Sequence, residues 1–263
     1  MKILNPEMNL DLFYEKLTKA SQKALLLDYD GTLAPFQIKP NKAYPYPGVT
    51  EILNSIMHGV ETRLVIVTGR WIKDLKPLLQ LKKQPDVWGS HGMERLKKDG
   101  SYEIVSMDEK ALNGLVAADE WIEAIGLSNR CEKKPGCIAI HWRGLSESDI
   151  LSIKEQVEQK RSIITDSWGL NLEGFDGGLE IRVPGLNKGD AVKIILQEMK
   201  QDYVAAYLGD DLTDEDAFNA IKSKGIGVLV RREFRPTAAD LWIKPPEELI
   251  AFLSNWLHKT QES

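Results

Sequence analysis

The chain has 263 residues, 43% apolar and 28% charged, with 34 basic against 39 acidic side chains and a net charge of −5. That length buries a full core without disulfide or metal staples, as one large domain or two small ones, and the composition excludes a fibrous or extensively disordered chain. The mild acidity gives no global attraction to nucleic acid or anionic lipid, and no apolar run reaches the roughly 18–20 residues that span a bilayer, so neither is expected as a partner.

The first residues, Met1-Lys2-Ile3-Leu4-Asn5-Pro6, lack the apolar stretch of a signal peptide. Asn9 then caps a predicted helix to Ala20, with Leu10, Phe13, Leu17 and Ala20 at helical spacing. Lys23–Asp28 is a short apolar run without alternation, the pattern of a strand buried on both faces of a parallel sheet. A helix from Pro47 to Met57, a second buried strand from Arg63 to Thr68, a helix through Leu81 and a short strand at Val87-Trp88 follow. This alternation predicts right-handed crossovers and an open α/β sheet. Near residue 100 the pattern changes. Ser101–Val105 reads as a hairpin arm, Glu109–Ile125 and Ser146–Ile164 as helices, and Cys137–Trp142 as a strand. Leu179–Val183 alternates, which predicts one apolar and one polar face. Cys131 and Cys137 fit no zinc spacing and no disulfide framework, as expected of a cytoplasmic protein with reduced thiols. The α/β pattern resumes with a helix over Asp190–Lys200, a buried strand Tyr203–Gly209, a helix Thr213–Lys224, strands Ile226–Val230 and Leu241–Ile243, and a closing helix Pro246–Leu257. The expected organisation is one discontinuous α/β domain, 1–105 plus 186–263, with a smaller α+β domain, 106–185, inserted in it. Arg231-Arg232-Glu233-Phe234-Arg235 reads as a solvated basic loop.

Two acid clusters directly follow buried strands: Asp28 and Asp30 after the first, and Asp210, Asp211 and Asp214 after a later one. Ligands of open α/β sheets bind outside the carboxyl ends of the strands, so the clusters can share one crevice. Carboxylates gathered there repel, and Mg²⁺ relieves the repulsion while keeping waters that a phosphate can replace. Thr68-Gly69-Arg70, at a helix start, can hold a phosphate oxygen, and Lys188 offers a point charge.

The order Asp28-Tyr29-Asp30-Gly31-Thr32, then Thr68, Lys188 and Gly209-Asp210-Asp211 with Asp214 resembles the haloacid-dehalogenase-like superfamily. Further segments, Gly89-Ser90-His91-Gly92-Met93-Glu94, Glu132-Lys133-Lys134 with His141-Trp142-Arg143, Glu180-Ile181-Arg182 and Asn187-Lys188-Gly189, resemble the trehalose-6-phosphate phosphatase family over residues 22–257. The resemblance implies a Rossmann-like three-layer core with a mostly parallel sheet, an inserted α+β cap that closes over the crevice, and a phosphoric monoester hydrolase. It implies Asp28 as nucleophile and Asp30 as general acid and base, with Thr68 and Lys188 holding the phosphoryl oxygens. Mg²⁺ would be held by Asp28, the Asp30 carbonyl and Asp210, with Asp214 or Asp211 orienting its waters. Arg70, Ser90, His91, Glu94, Lys134, His141, Arg143, Glu180 and Arg182 would meet the sugar. The expected substrate is a phosphorylated disaccharide, trehalose 6-phosphate first. A glucosylglycerol or sucrose phosphate, a non-catalytic sugar-phosphate-binding partner of a synthase and a mutase remain open. The oligomeric state is not legible, and a monomer is compatible with the sequence.

Overall fold

The structure, a computed structural model, describes residues 1–262 apart from positions 60, 61, 176, 200, 201 and 223. The chain divides into two compact units, one made of Met1–Glu103 and the chain from Leu186 onward, the other of Ile104–Gly185. The first segment carries β1 (Lys2–Ile3), α1 (Leu10–Lys19), β2 (Gln22–Leu27), α2 (Val49–His58), β3 (Thr62–Val67), α3 (Ile72–Leu79), β4 (Asp86–Gly89), β5 (Glu94–Leu96) and β6 (Tyr102–Ile104). The inserted segment carries α4 (Glu109–Ala124), β7 (Cys131–Lys134), β8 (Cys137–His141), α5 (Glu147–Ser162), β9 (Asn171–Phe175) and β10 (Gly178–Arg182). The return segment carries α6 (Lys188–Gln197), β11 (Tyr203–Gly209), α7 (Glu215–Ile221), β12 (Gly225–Val230), β13 (Leu241–Ile243) and α8 (Glu247–Gln261). Among the described residues no helix is long and apolar enough to cross a membrane.

A nine-stranded sheet runs in the order β1-β13-β12-β11-β2-β3-β4-β5-β6. From β13 through β4 every neighbouring pair is parallel, and β1 and β5 join antiparallel at either side. β2 shows why its sequence does not alternate. Leu25 and Leu27 enter a core beneath α1, α2, α3 and α8, while Ala24 and Leu26 enter a second core beneath α6 and α7. Both faces of the strand are apolar because both are covered.

The inserted unit is a four-stranded antiparallel sheet, β7-β8-β10-β9. Ile138, Ile140 and Ile181 on one face are buried, as are Ala118 and Ile122 of α4 and Ile153 and Val157 of α5. The alternation of β10 does not give a wet face. Glu180 and Arg182, at the polar positions, are only 3% and 5% exposed, because each is neutralised by an ionic partner described below.

Local differences from the predicted elements have local causes. α6 starts at Lys188 because Asn187 accepts from Asp190 N at 2.9 Å while the Asp190 carboxylate accepts from Asn187 N at 3.3 Å, a reciprocal cap. The expected end of that helix, Lys200, lies outside the described residues. The predicted helix Thr213–Lys224 begins instead as a 3₁₀ turn, Leu212–Asp214, ahead of α7. β1, β5 and β7 are too short and too polar to announce themselves as strands.

Candidate active site

Asp28 directly follows β2, Thr68 follows β3 and Asp210 follows β11, three strands adjacent in the sheet. Parallel strands put those three carboxyl ends together. α6 leads into β11, so its N-terminus, with Lys188, faces the same edge. Lys188 Nζ donates to Asp28 Oδ1 at 2.9 Å and to Asp214 Oδ1 at 2.8 Å, with all three side chains buried. Ligand oxygens of Asp28, Asp210 and Asp214 lie within 4.8 Å of one another. The loops meet this closely because residue 31 is glycine: at its φ of +80°, a β-carbon would collide with the Asp210 carboxylate.

The three aspartates are not equivalent. Asp214 is saturated: Oδ1 accepts from Lys188 and from Tyr207 Oη at 2.5 Å, and Oδ2 accepts from the backbone N–H of Asp210 at 3.0 Å and of Asp211 at 2.9 Å. Its pKa is lowered: burial works against the charge, but Lys188 and these hydrogen bonds outweigh it. Asp28 is pushed up to about 7, chiefly by burial, which Lys188 offsets only in part. Asp210 is raised well above the carboxylate range by burial and then by the Asp28 and Asp214 charges. Thr32 Oγ1 lies 3.3 Å from Asp210 Oδ1 and 3.5 Å from Asp28 Oδ2. With all three ionised, the carboxylates beside one ammonium would carry two negative charges in excess, the charge of one divalent cation; without such an ion, burial and mutual repulsion push Asp28 and Asp210 toward their protonated forms. The donor set of oxygens suits such an ion.

Asp30 points elsewhere. Both its oxygens are taken by Arg70, Nε at 2.6 Å and Nη2 at 2.6 Å. Arg70 therefore pairs with an acid of the site. Asp211 accepts from Leu212 N at 2.7 Å and caps the following turn. The Thr68 hydroxyl, 1% exposed, accepts from Arg70 N at 3.1 Å.

Ser90, His91 and Glu94 are buried beside this edge. His91 N donates to Thr68 O at 3.0 Å and Ser90 N to Arg70 O at 2.8 Å. The Glu94 carboxylate accepts from Ser90 Oγ and Ile72 N, each at 2.9 Å, and from Tyr102 Oη at 2.7 Å. Glu94 thus fastens the Thr68–Ile72 loop from within.

In the inserted unit, Lys134 Nζ donates to Glu180 Oε1 at 2.5 Å, both side chains buried. Burial disfavours the Lys134 ammonium, but Glu180 outweighs it and the pKa stands above the usual lysine value. Arg182 pairs with Glu173, and its Nε lies 4.0 Å from Glu180. His141 Nε2 lies 3.2 Å from Glu132, with its ring edge-on to Phe175. The Arg143 guanidinium sits about 3.0 Å from where a β-carbon on Gly177 would project. The register puts Glu132, Lys134, His141, Glu180 and Arg182 on one face of the sheet.

The sequence pattern does not single out Thr32, Tyr207 or Glu132 as site residues. Thr32 and Glu132 lie inside the motifs that carry the resemblance, and Tyr207 sits mid-strand, where an aromatic reads as core.

A sequence model of the trehalose-phosphatase family matches residues 26–241. Trehalose-phosphate phosphatase B of Arabidopsis thaliana is 30% identical over 95% of this chain and 72% of its own length. The C-terminal domain of the C. albicans trehalose-6-phosphate phosphatase superposes with a TM-score of 0.83 at 20% identity, covering 98% of this chain and 99% of that one. A haloacid dehalogenase-like hydrolase from B. subtilis does so at 0.61 and 14% identity, covering 89% and 99%. The chain belongs to the trehalose-phosphatase family of phosphoric monoester hydrolases.

Proposed function

We propose that this chain hydrolyses trehalose 6-phosphate to trehalose and inorganic phosphate through an aspartyl-phosphate on Asp28. The observation that carries the reading is the buried Asp28–Lys188–Asp214 array beside Asp210 at the carboxyl ends of β2 and β11. A carboxylate is a competent phosphorus nucleophile, and Lys188 orients Asp28 while countering its charge.

One Asp28 oxygen attacks phosphorus, and the ester oxygen departs with the proton of Asp30. Water then attacks phosphorus while Asp30 takes a proton from it, the P–O bond to Asp28 breaks, inorganic phosphate is released, and the Asp28 carboxylate and the protonated Asp30 are restored. Arg70 holds both Asp30 oxygens, so proton delivery requires the carboxyl to leave the guanidinium, which is then free for the substrate. The Thr68 hydroxyl keeps its own proton to donate to a phosphoryl oxygen. Asp28, Asp210 and the Asp30 carbonyl would hold Mg²⁺, with Asp214, already saturated, setting the backbone of the Asp210 loop. When bound, the ion neutralises charge developing on the transferred phosphoryl group.

Sugar selection falls to the polar face of the inserted sheet, at Lys134, His141, Glu180 and Arg182 with Arg143, and to Ser90 and His91. A hydroxyl-reading site discriminates by leaving polar groups unpaired when the hydroxyl is missing. The reading includes a cytoplasmic location, in keeping with two unbonded cysteines.

The test is phosphate release from trehalose 6-phosphate, sucrose 6-phosphate, glucosylglycerol phosphate and glucose 6-phosphate. Trehalose 6-phosphate should show the highest kcat/KM, and activity should vanish in chelator and return with Mg²⁺. A higher kcat/KM for another ester reassigns the sugar, and full activity in chelator removes the metal. No release from any of them, with tight binding retained, marks a binding protein.

A further inference from the structure

Arg235 reads from the sequence as part of a solvated basic loop, but its side chain is only 14% exposed. The segment following β12 lies beside the segment following β11, because those strands are neighbours in the sheet. From there the Arg235 guanidinium turns inward. Nη2 donates to the Asp211 carbonyl at 2.6 Å and Nε to the Asp210 carbonyl at 3.2 Å, and Nη1 donates to the Pro236 carbonyl at 2.9 Å. Nη1 also pairs with Glu215. Glu215 accepts in addition from Thr237 Oγ1 at 2.8 Å and Ala238 N at 2.7 Å, so the arginine is gripped by its own loop.

The Asp210–Asp211 backbone is therefore held on both sides. Its N–H groups are taken by Asp214 and its carbonyls by Arg235. The Asp211 carbonyl also accepts from Asp214 N at 3.0 Å, within the turn that follows, whereas the Asp210 carbonyl lies ahead of that turn, where Asp210 leaves the end of a strand and must aim its carboxylate into a cluster of like charge. A planar fork of donors reaches two successive carbonyls at once, which a lysine ammonium cannot do in the same geometry.

We propose that Arg235 is a positioning residue for the divalent-cation site: it holds the Asp210–Asp211 backbone so that the Asp210 carboxylate is presented to the ion. It touches neither ion nor substrate. The inference rests on the reading that Asp210 is a metal ligand.

The experiment measures Mn²⁺ binding to the metal-free protein by electron paramagnetic resonance, in wild type, Arg235→Ala, Arg235→Lys, Glu215→Gln and Asp210→Ala. Thermal stability, kcat, KM for the sugar phosphate and the Mg²⁺ concentration giving half activity are measured beside it. Partners that orient a ligand are worth about 10- to 100-fold in metal affinity. Arg235→Ala should thus weaken Mn²⁺ binding about tenfold or more and raise the half-activating Mg²⁺ concentration by the same factor. Its kcat and KM at saturating Mg²⁺ should stay within about twofold of wild type. Arg235→Lys should recover part of the affinity, and Glu215→Gln, which loosens the grip while keeping the arginine, should fall between. Unchanged Mn²⁺ affinity in a folded Arg235→Ala or Glu215→Gln protein overturns the proposal, whatever happens to stability. A lower kcat at saturating Mg²⁺ with unchanged affinity overturns it as well. Failure of the underlying reading is separate: Asp210→Ala would then bind Mn²⁺ as wild type does.

Discussion

Asp28 pays for its position in solvation: burial lifts it to about 7, and only Lys188 works appreciably against that. A group whose folded pKa exceeds its unfolded value of 3.8 favours folding when protonated, so its contribution is intact below about pH 4 and is lost as pH rises through about 7. Asp28→Asn should therefore abolish turnover and yet, in metal-free buffer, melt several degrees above wild type at pH 7–8. The gap should close toward pH 4 and shrink when Mg²⁺ is added to wild type. Scanning calorimetry with and without chelator checks this, and an Asp28→Asn protein that melts below wild type at pH 8 without metal contradicts it. Neighbouring Asp30 is held by Arg70 instead, a pairing that sequence spacing could not reveal because forty residues separate the two.

At the scale of elements, the active site depends on how helices begin. Lys188 is the first residue of α6, and the Asn187–Asp190 cap fixes that turn. Asn187→Ala should cost about 1 kcal/mol of stability, a few degrees in Tm by calorimetry. It should lower kcat more than it raises KM, because the Lys188 ammonium loses its fixed approach to Asp28. In the inserted sheet, Glu180→Gln keeps the shape of the side chain and removes the charge opposite Lys134. This should reduce kcat/KM for the disaccharide phosphate about tenfold or more, about 1.4 kcal/mol or above. Hydrolysis of p-nitrophenyl phosphate, which has no sugar hydroxyls, should be nearly unaffected. Parallel loss on both substrates would place Glu180 in folding or chemistry rather than in sugar selection.

The larger unit is also tied together by an ionic network that joins the first segment to the return segment. Arg63 of β3 donates to Asp86 at 2.7 Å and to Glu198 at 2.6 Å, and Arg95 of β5 donates to both Glu198 oxygens at 2.7 and 2.8 Å. Hydrogen bonds from Arg95 lower the Glu198 pKa to about 2, with burial opposing and Arg63 assisting. A depressed carboxylate stabilises the fold above its unfolded pKa, and that support fades as pH falls through the folded value. Glu198→Gln should therefore melt below wild type by a constant margin from pH 7 to about 5, and the margin should close toward pH 2. High salt should narrow it, since Glu198 is partly exposed. A margin independent of pH and salt would mean that packing, not charge, holds this corner.

The sequence by itself determined the alternation of buried strands and amphipathic helices, and hence the α/β class. Unbroken apolar runs such as Ala24–Leu27 have few other uses in a chain of this composition. It also determined the principal acids, since Asp28 and Asp210 follow strands directly and a parallel sheet brings such ends together. Tertiary structure alone decided which partner each charge keeps. Asp30 is turned to Arg70, Asp214 is occupied by Lys188, Tyr207 and two backbone N–H groups, and Glu94 is turned inward to fasten the Thr68–Ile72 loop. The same holds for Glu180 and Arg182, whose alternating strand predicts a polar face and whose ion pairs keep that face buried. It holds most plainly for Arg235, which ends a basic surface run in sequence and a hydrogen-bonded clamp in space. Periodicity reports which face of an element is covered, because burial of apolar surface is summed over a whole element. A hydrogen bond depends on where two distant segments happen to meet, and no local pattern encodes that.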